Sequence, residues 1–188
     1  MKKKIQLSIG CGGYLAPGFI NVDVVKPEEM AQIYKQRGNK MPKTAQYVQA
    51  TVQELPFGSD YADYIETNDM VEHLPMRTLT KAFSEMYRVL KPGGELLIGT
   101  TDFDDVARTW LEVSQQLTDK LTKGESTALF FDPTHTHGLE EGWEEMTKRR
   151  VNTLMMVLYG NQMHGGEYHM NAFTPAIMFL YLTQAGFK

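Results

Sequence analysis

Short apolar runs alternate with amphipathic ones through the first hundred residues. Residues 5–9 form a brief apolar-rich run ending in Gly10-Cys11-Gly12-Gly13, which predicts a strand followed by a tight turn. Residues 19–25, β-branched and closing near Asp23, predict a second strand. A polar, helix-compatible stretch over 27–37 leads to a third strand at 46–52, and 61–67 is a fourth. Over 78–90, Leu79, Phe83, Met86, Val89 and Leu90 fall at helical spacing. Lys91-Pro92-Gly93-Gly94 then combines a cation, a proline and two glycines, the signals that end a helix, before a fifth strand at 95–100.

Strands alternating with helices imply parallel pairing through right-handed crossovers. The expected fold is α/β, a doubly wound, Rossmann-like and mostly parallel sheet. Its ligand belongs beyond the carboxyl ends of the strands, at the switch point. From about Asp102 to Gly166 the pattern becomes helical and polar, punctuated by aromatics and histidines. Residues 103–170 therefore read as a largely helical cap inserted in a single domain spanning 1–188. A last helix, 174–185, is apolar on most sides and ends at Gly186.

Composition narrows the class without changing that picture. A chain of 188 residues with 42% hydrophobic positions can bury a core, and a net charge of −4 is that of an ordinary globule. The longest apolar runs, near 154–159 and 176–182, fall far short of the roughly twenty residues that span a bilayer. Lys2, Lys3 and Lys4 precede too short an apolar segment to make a signal peptide. A cytoplasmic protein without membrane contact is the expectation. Mild acidity argues against a duplex-binding face, so nucleic acid is not an expected partner, and Lys148-Arg149-Arg150 reads as a solvated helix end. Cys11 is the single cysteine, which excludes a disulfide framework and a multi-thiolate zinc site. The twelve methionines read as soft core filler.

The glycine loop carries the first chemistry. Directly after a strand, it lets backbone approach a ligand closely. Asp23, closing the second strand, can accept both hydroxyls of a ribose. Only nine residues, Cys11 to Phe19, separate the two strands, and Pro17-Gly18 interrupt them. A dinucleotide site needs a helix opening at the glycines to hold the pyrophosphate, and there is hardly room for one. A ligand with a ribose and no phosphate fits better, and S-adenosylmethionine (SAM) is the common one. The same brevity sits uneasily with a parallel crossover, which usually takes a dozen residues or more.

Several motifs then fall in a familiar order. Leu7-Ser8-Ile9-Gly10-Cys11-Gly12 and Gly18-Phe19-Ile20-Asn21-Val22-Asp23 resemble the first motif and ribose acid of class I SAM-dependent methyltransferases, in particular a branch of small bacterial enzymes with a short glycine loop. Glu54-Leu55-Pro56-Phe57, Asp63-Tyr64-Ile65, Val71-Glu72-His73-Leu74 and Arg88-Val89-Leu90-Lys91-Pro92-Gly93-Gly94-Glu95-Leu96 continue the likeness. The resemblance covers residues 5–102 well, and Tyr159-Gly160, His169 and the last helix more loosely. It implies that the backbone of Gly10, Cys11 and Gly12 faces the methionine part of SAM. It also implies that Asp23 takes the ribose hydroxyls, that Val24 packs on the adenine, and that Thr51 and Val52 lie near the adenine amine. Thr67, Asn68 and Asp69 fall where cofactor meets acceptor, and Asn68 is counted with the cofactor contacts.

Three departures from the pattern have physical consequences. Thr51 replaces the usual Asp, and Ser8 stands where the superfamily usually has an acid. Both changes remove charge-assisted hydrogen bonds, so weaker cofactor binding is expected. With only Gly186, Phe187 and Lys188 after the last helix, the usual antiparallel strand pair is not expected. The fifth strand is then a sheet edge, expected to be covered by the 103–170 segment or by a second subunit in a homodimer.

Methyl transfer from a sulfonium is an in-line displacement, governed by alignment and exclusion of water. A carbon or hydroxyl acceptor also needs a base within hydrogen-bond reach, and Asp69, His73 and Asp102 follow strand ends. His73 reads equally as a loop-orienting residue. His135, His137, His164 and His169 sit in the cap, near Asp132, Glu140 and Glu167. Two histidines with a carboxylate can hold iron. Packing, solvent or contact with an oxygen-rich acceptor are the plainer roles, and no metal is expected. Trp110, Trp143 and Tyr168 read as cap core. The expected function is methyl transfer from SAM to a small-molecule or sugar-like acceptor. The alternatives are a catalytically silent SAM- or nucleoside-binding regulatory or assembly protein, and a Rossmann oxidoreductase, against which the short loop argues.

Overall fold

Four-residue strands explain how so short a loop can join parallel neighbours. A computed structural model describes residues 4–36, 38, 41–42, 45–126, 150–160 and 168–188. β1 (Gln6–Ile9) and β2 (Ile20–Asp23) pair in parallel, with Leu7 opposite Ile20 and Ile9 opposite Val22. The chain leaving Ile9 must return along one four-residue strand, about 13 Å. Residues 10–19 can span roughly 30 Å when extended, so no crossover helix is needed. The pairing expected from the sequence is therefore present, and its joint is a loop.

α1 (Pro27–Gln36) follows, with Glu28 and Glu29 in its first turn and Lys35 in its last, each matched to the helix dipole. β3 (Gln46–Gln49) pairs with β2, and β4 (Ala62–Asn68) pairs with the other side of β1. α2 (Met76–Val89) buries Leu79, Ala82, Phe83, Met86 and Val89 on one face. Burying Leu79, Phe83, Met86 and Val89 contributes about 1.5–3 kcal/mol each. The sheet order is β3-β2-β1-β4-β5, all parallel. The strands wind outward from β1 to one side and then, from β4, to the other, so the switch point lies between β1 and β4. Within the described residues β5 is an edge, as expected.

One boundary differs from the sequence reading. Lys91-Pro92-Gly93-Gly94 does not form a separate turn, because β5 (Leu90–Gly99) begins where α2 ends. Extended backbone at Leu90 (ψ 134°) stops the helix. The glycines are accommodated as an irregularity: Leu90 pairs with Ala62, yet Glu95 already pairs with Tyr64. Pro92 falls inside this strand, and an edge tolerates its missing donor.

Contacts divide the chain into two units, residues 1–100 with 176–188, and residues 101–175. In the first unit, residues of α5 (Pro175–Ala185) and of the segment after it meet α2, where Phe83 stacks on Tyr181 with centroids 5.6 Å apart and Tyr87 meets Phe187 edge-on at 5.1 Å. Ile177, Phe179 and Leu180 are exposed, in keeping with the all-round apolar character of that helix. In the second unit, α3 (Phe103–Lys123) and α4 (Arg150–Tyr159) pack through Val106, Val113 and Leu154, with Trp110, Leu117, Val157 and Leu158 around them. α3 starts on an Asp102 cap and stops at Gly124 in the left-handed conformation. Trp110 is thus core, as expected, whereas Tyr168 is exposed and is not. His135, His137, Trp143 and His164, with Asp132, Glu140 and Glu167, lie outside the described residues. No helix among those described is long and apolar enough to cross a membrane.

Candidate functional site

The glycine loop is pinned to β2 along its length. Gly10 and Cys11 donate their backbone N–H groups to the Val22 carbonyl, at 2.8 and 3.3 Å. Gly12 donates to Asp23 Oδ2 at 2.8 Å, and Val25 donates to Asp23 Oδ1 at 3.1 Å. Gly10 (φ 70°) and Gly12 (φ 52°) are left-handed, where a side chain is strained. A Cβ on Gly10 would also overlap the Met70 side chain, so the end of β1 and the segment after β4 meet closely at the switch point. Around Gly12, by contrast, a Cβ would meet nothing within 4 Å, and the backbone there is open to a ligand.

Asp23 sets the electrostatics of this corner. Its two oxygens offer about four acceptor positions, and backbone donors take two. Capacity therefore remains for a pair of ligand hydroxyls. Burial, and after it the Asp23 charge, pushes the Cys11 thiol from 9.0 up to about 12. Burial and then the same carboxylate also raise the Tyr47 phenol, whose hydroxyl donates to the Val25 carbonyl. Cys11 is thus a neutral thiol, not a nucleophile.

Val24, next to Asp23, is 61% exposed, an apolar platform beside the carboxylate. The Ala50 N–H donates to the Asp23 carbonyl at 2.9 Å, which brings the segment after β3 alongside. Thr51, exposed, follows and pairs with Glu54 in an isolated bridge, while Val52 is buried. Ser8 is a buried residue of β1.

At the end of β4, Thr67 is buried, and Asn68 and Asp69 are exposed. Asn68 lies against Gly99 of β5, and the Asp69 N–H donates to the Gly99 carbonyl at 2.9 Å. Asp69 holds φ 48°, a conformation that Asp tolerates better than most residues. A 3-10 turn, Val71–His73, follows, closed by the His73 N–H on the Met70 carbonyl at 3.0 Å. Thr67 Oγ1 and Glu72 Oε2 are buried and have no hydrogen-bond partner among the described residues. Asp102 accepts the Asp104 N–H at 3.0 Å as the cap of α3. His169 Nδ1 lies 2.7 Å from the Val157 carbonyl, a packing role.

The structure thus brings Gly10, Cys11, Gly12, Asp23 and Val24 into one hydrogen-bonded corner. Thr51 and Val52 follow the segment that joins it, and Asn68, Asp69 and His73 cluster after β4. These residues lie at or after the carboxyl ends of β1, β2, β3 and β4, on the side of the parallel sheet where its switch point opens. A family model described as a methyltransferase domain matches residues 7–98, the segment that carries all of these features. The chain belongs to the class I SAM-dependent methyltransferase superfamily. SAM is the cofactor that this membership implies.

Among curated relatives, the ubiquinone/menaquinone biosynthesis C-methyltransferase of Vibrio campbellii is 37% identical over 89 residues, 47% of this chain and 29% of that protein. An uncharacterised protein of Methanocaldococcus jannaschii is 30% identical over 112 residues, 60% of this chain and 51% of its own length. The match therefore spans 29% and 51% of those two relatives' own lengths. A solved SAM-dependent methyltransferase of Methanosarcina mazei shares the fold at TM-score 0.56 and 16% identity, covering 98% of this chain and 80% of that one. A second, from Thermotoga maritima, aligns at TM-score 0.50 and 17% identity, over 100% and 66%.

For this methyltransferase domain, the residues that sequence reasoning passed over are the ones that hold the loop. Asn21 and Tyr34 bind its backbone from β2 and α1. A signal existed for Asn21: it is a polar residue inside the β-branched run Ile20-Asn21-Val22, at a position that turns out fully buried. Tyr34 had none, because its partner is nineteen residues away.

Proposed function

We propose that the protein transfers the sulfonium methyl of SAM to a small-molecule or sugar-like acceptor by in-line displacement. The observation that carries this reading is the Asp23 corner: a carboxylate with spare acceptor capacity, beside an open glycine backbone and an exposed Val24, with no helix to receive a pyrophosphate. Bound SAM supplies an electrophilic methyl group. Gly10, Cys11 and Gly12 would face its methionine part through their backbone, Asp23 would accept the ribose hydroxyls, and Val24, Thr51 and Val52 would line the adenine. Asn68 would complete the cofactor contacts near the acceptor.

Asp69 and His73 remain as candidate bases for an acceptor that must lose a proton. Asp102 is weakened in that role by its commitment to the α3 cap. We read residues 103–170 as a helical insert in a single domain that runs through 1–188. That commitment of Asp102 is also the observation favouring a catalytically silent SAM-binding protein. Calorimetric titration with SAM, with its demethylated product and with NAD, followed by transfer of a labelled methyl to an acceptor panel, separates the readings. Binding of SAM and its product without NAD, together with label transfer, supports the enzyme. Binding without transfer across sugars, phenols and amines favours the silent protein, and no binding of SAM or its product ends both.

A further inference from the structure

A single buried amide grips the far half of the glycine loop. Asn21, fully buried in β2, accepts the Ala16 N–H on Oδ1 at 2.7 Å. Its Nδ2 donates to the carbonyls of Ala16 and Phe19, each at 3.2 Å, and of Gln46 at 3.1 Å. Ala16 is therefore held through both its N–H and its carbonyl, much as a neighbouring strand would hold it. One side chain thus ties the loop to β2 and to β3 together. From α1, the Tyr34 hydroxyl accepts the Leu15 N–H at 2.7 Å, packed with Leu15 and Met30 in a buried cluster.

These contacts fill a gap that the sequence leaves open. Ser8 stands where the superfamily usually has an acid to organise this loop, and no crossover helix stiffens it. The near end is fixed by Val22 and Asp23, and the far end by Asn21 and Tyr34. Between those anchors, Tyr14 closes a turn on the Cys11 carbonyl at 3.0 Å. Releasing the far anchors loosens the segment from Leu15 to Phe19 while leaving the bonds of Asp23 to Gly12 and Val25 in place.

We infer that Asn21, seconded by Tyr34, is a positioning residue that preorganises the glycine loop for the methionine half of the cofactor. The inference rests on the SAM reading and deepens it. Preorganisation raises affinity by removing the cost of ordering the loop on binding, and it acts only on the ligand part that the loop touches. The two halves of the ligand should therefore respond differently. S-adenosylhomocysteine carries the amino-acid tail, whereas methylthioadenosine carries the same nucleoside without it.

The test is calorimetric titration of the wild type, Asn21→Asp and Tyr34→Phe with both ligands, with thermal melting as a check on folding. Asn21→Asp keeps the shape and the acceptor but loses both donors, and it sets carboxylate oxygens against the carbonyls of Ala16, Phe19 and Gln46. Tyr34→Phe removes one hydroxyl and keeps the packing. The expected result is weaker S-adenosylhomocysteine binding, by roughly ten-fold in Asn21→Asp and roughly three-fold in Tyr34→Phe, from the loss of buried hydrogen bonds. Methylthioadenosine binding should stay within about two-fold of wild type, since Asp23, assigned to its ribose, is bonded by Gly12 and Val25 and not by Asn21 or Tyr34. Equal losses for both ligands would reduce Asn21 to a structural residue and overturn the inference, as would unchanged binding of both. Should Asn21→Asp fail to fold, Tyr34→Phe decides by the same comparison. A wild type that binds neither ligand removes the SAM reading, and the inference falls with it.

Discussion

Cys11 offers a direct test of the electrostatics in the glycine loop, because it is the single cysteine of the chain and no other thiol competes for reagent. Burial first, and the Asp23 charge second, raise its thiol from 9.0 to about 12. Alkylation by iodoacetamide proceeds through the thiolate. At pH 8 an ordinary thiol is ionised to about one part in ten, and the folded thiol to about one part in ten thousand, so the folded protein should react roughly a thousand-fold more slowly. The assay is mass-spectrometric alkylation at pH 7, 8 and 9, with the chain in denaturant as the reference. The folded rate should climb about ten-fold per pH unit, as expected for a thiol far below its midpoint. Asp23→Asn removes the smaller cause and leaves burial in place. Its rate should rise several-fold yet stay much nearer the folded wild type than the denatured chain. A folded wild type that reacts within ten-fold of the denatured chain would refute the argument. So would an Asp23→Asn rate that matches the denatured chain, since burial would then not be the leading cause.

Asp23→Ala should weaken SAM binding by about 1–3 kcal/mol, the cost of losing a hydrogen-bonding partner, measured by titration, and unchanged affinity would sink the ribose assignment. Gly10→Ala should abolish binding of SAM while lowering thermal stability, since a Cβ there meets Met70 at a left-handed φ of 70°. Glu85 accepts two hydrogen bonds from Arg88, at 2.8 and 2.6 Å, and one from the Leu55 N–H at 2.9 Å, and those bonds, Arg88 first, hold its carboxyl below the ordinary 4.5. Its contribution is therefore complete at pH values above 4.5 and is lost as pH falls through the lowered folded value. Glu85→Gln should cost about 1 kcal/mol at pH 7, after discounting Arg88 for its partial exposure, and the gap to wild type in thermal melts should narrow below pH 4.

Most of the architecture is legible in the residues themselves. Strand and helix periodicities come from local side-chain patterns, so α2 and the strands at 5–9, 19–25 and 61–67 can be read directly, within a residue or two at their ends. Residues 91–94 misled because a proline and two glycines signal a turn by local rules, whereas pairing with β4 draws them into an edge strand. The acid of the ribose site is also legible, because Asp23 stands at the end of a strand after a glycine loop. Its partners are less so: that its two oxygens are each shared with a backbone donor depends on how β1 and β2 lie together.

Sequence alone determined the class of ligand, since a loop of nine residues broken by Pro17-Gly18 leaves no room for a phosphate-binding helix. It also determined the superfamily, through motifs that are contiguous in the chain. Only the tertiary structure decided what holds the loop. Asn21 reaches Ala16, Phe19 and Gln46, and Tyr34 reaches Leu15 from a helix, across separations that no local pattern encodes. Buried backbone groups must find partners somewhere, and which side chain supplies them is settled by packing. For the same reason Asp102 reads as a free acid in sequence and is a helix cap in the fold.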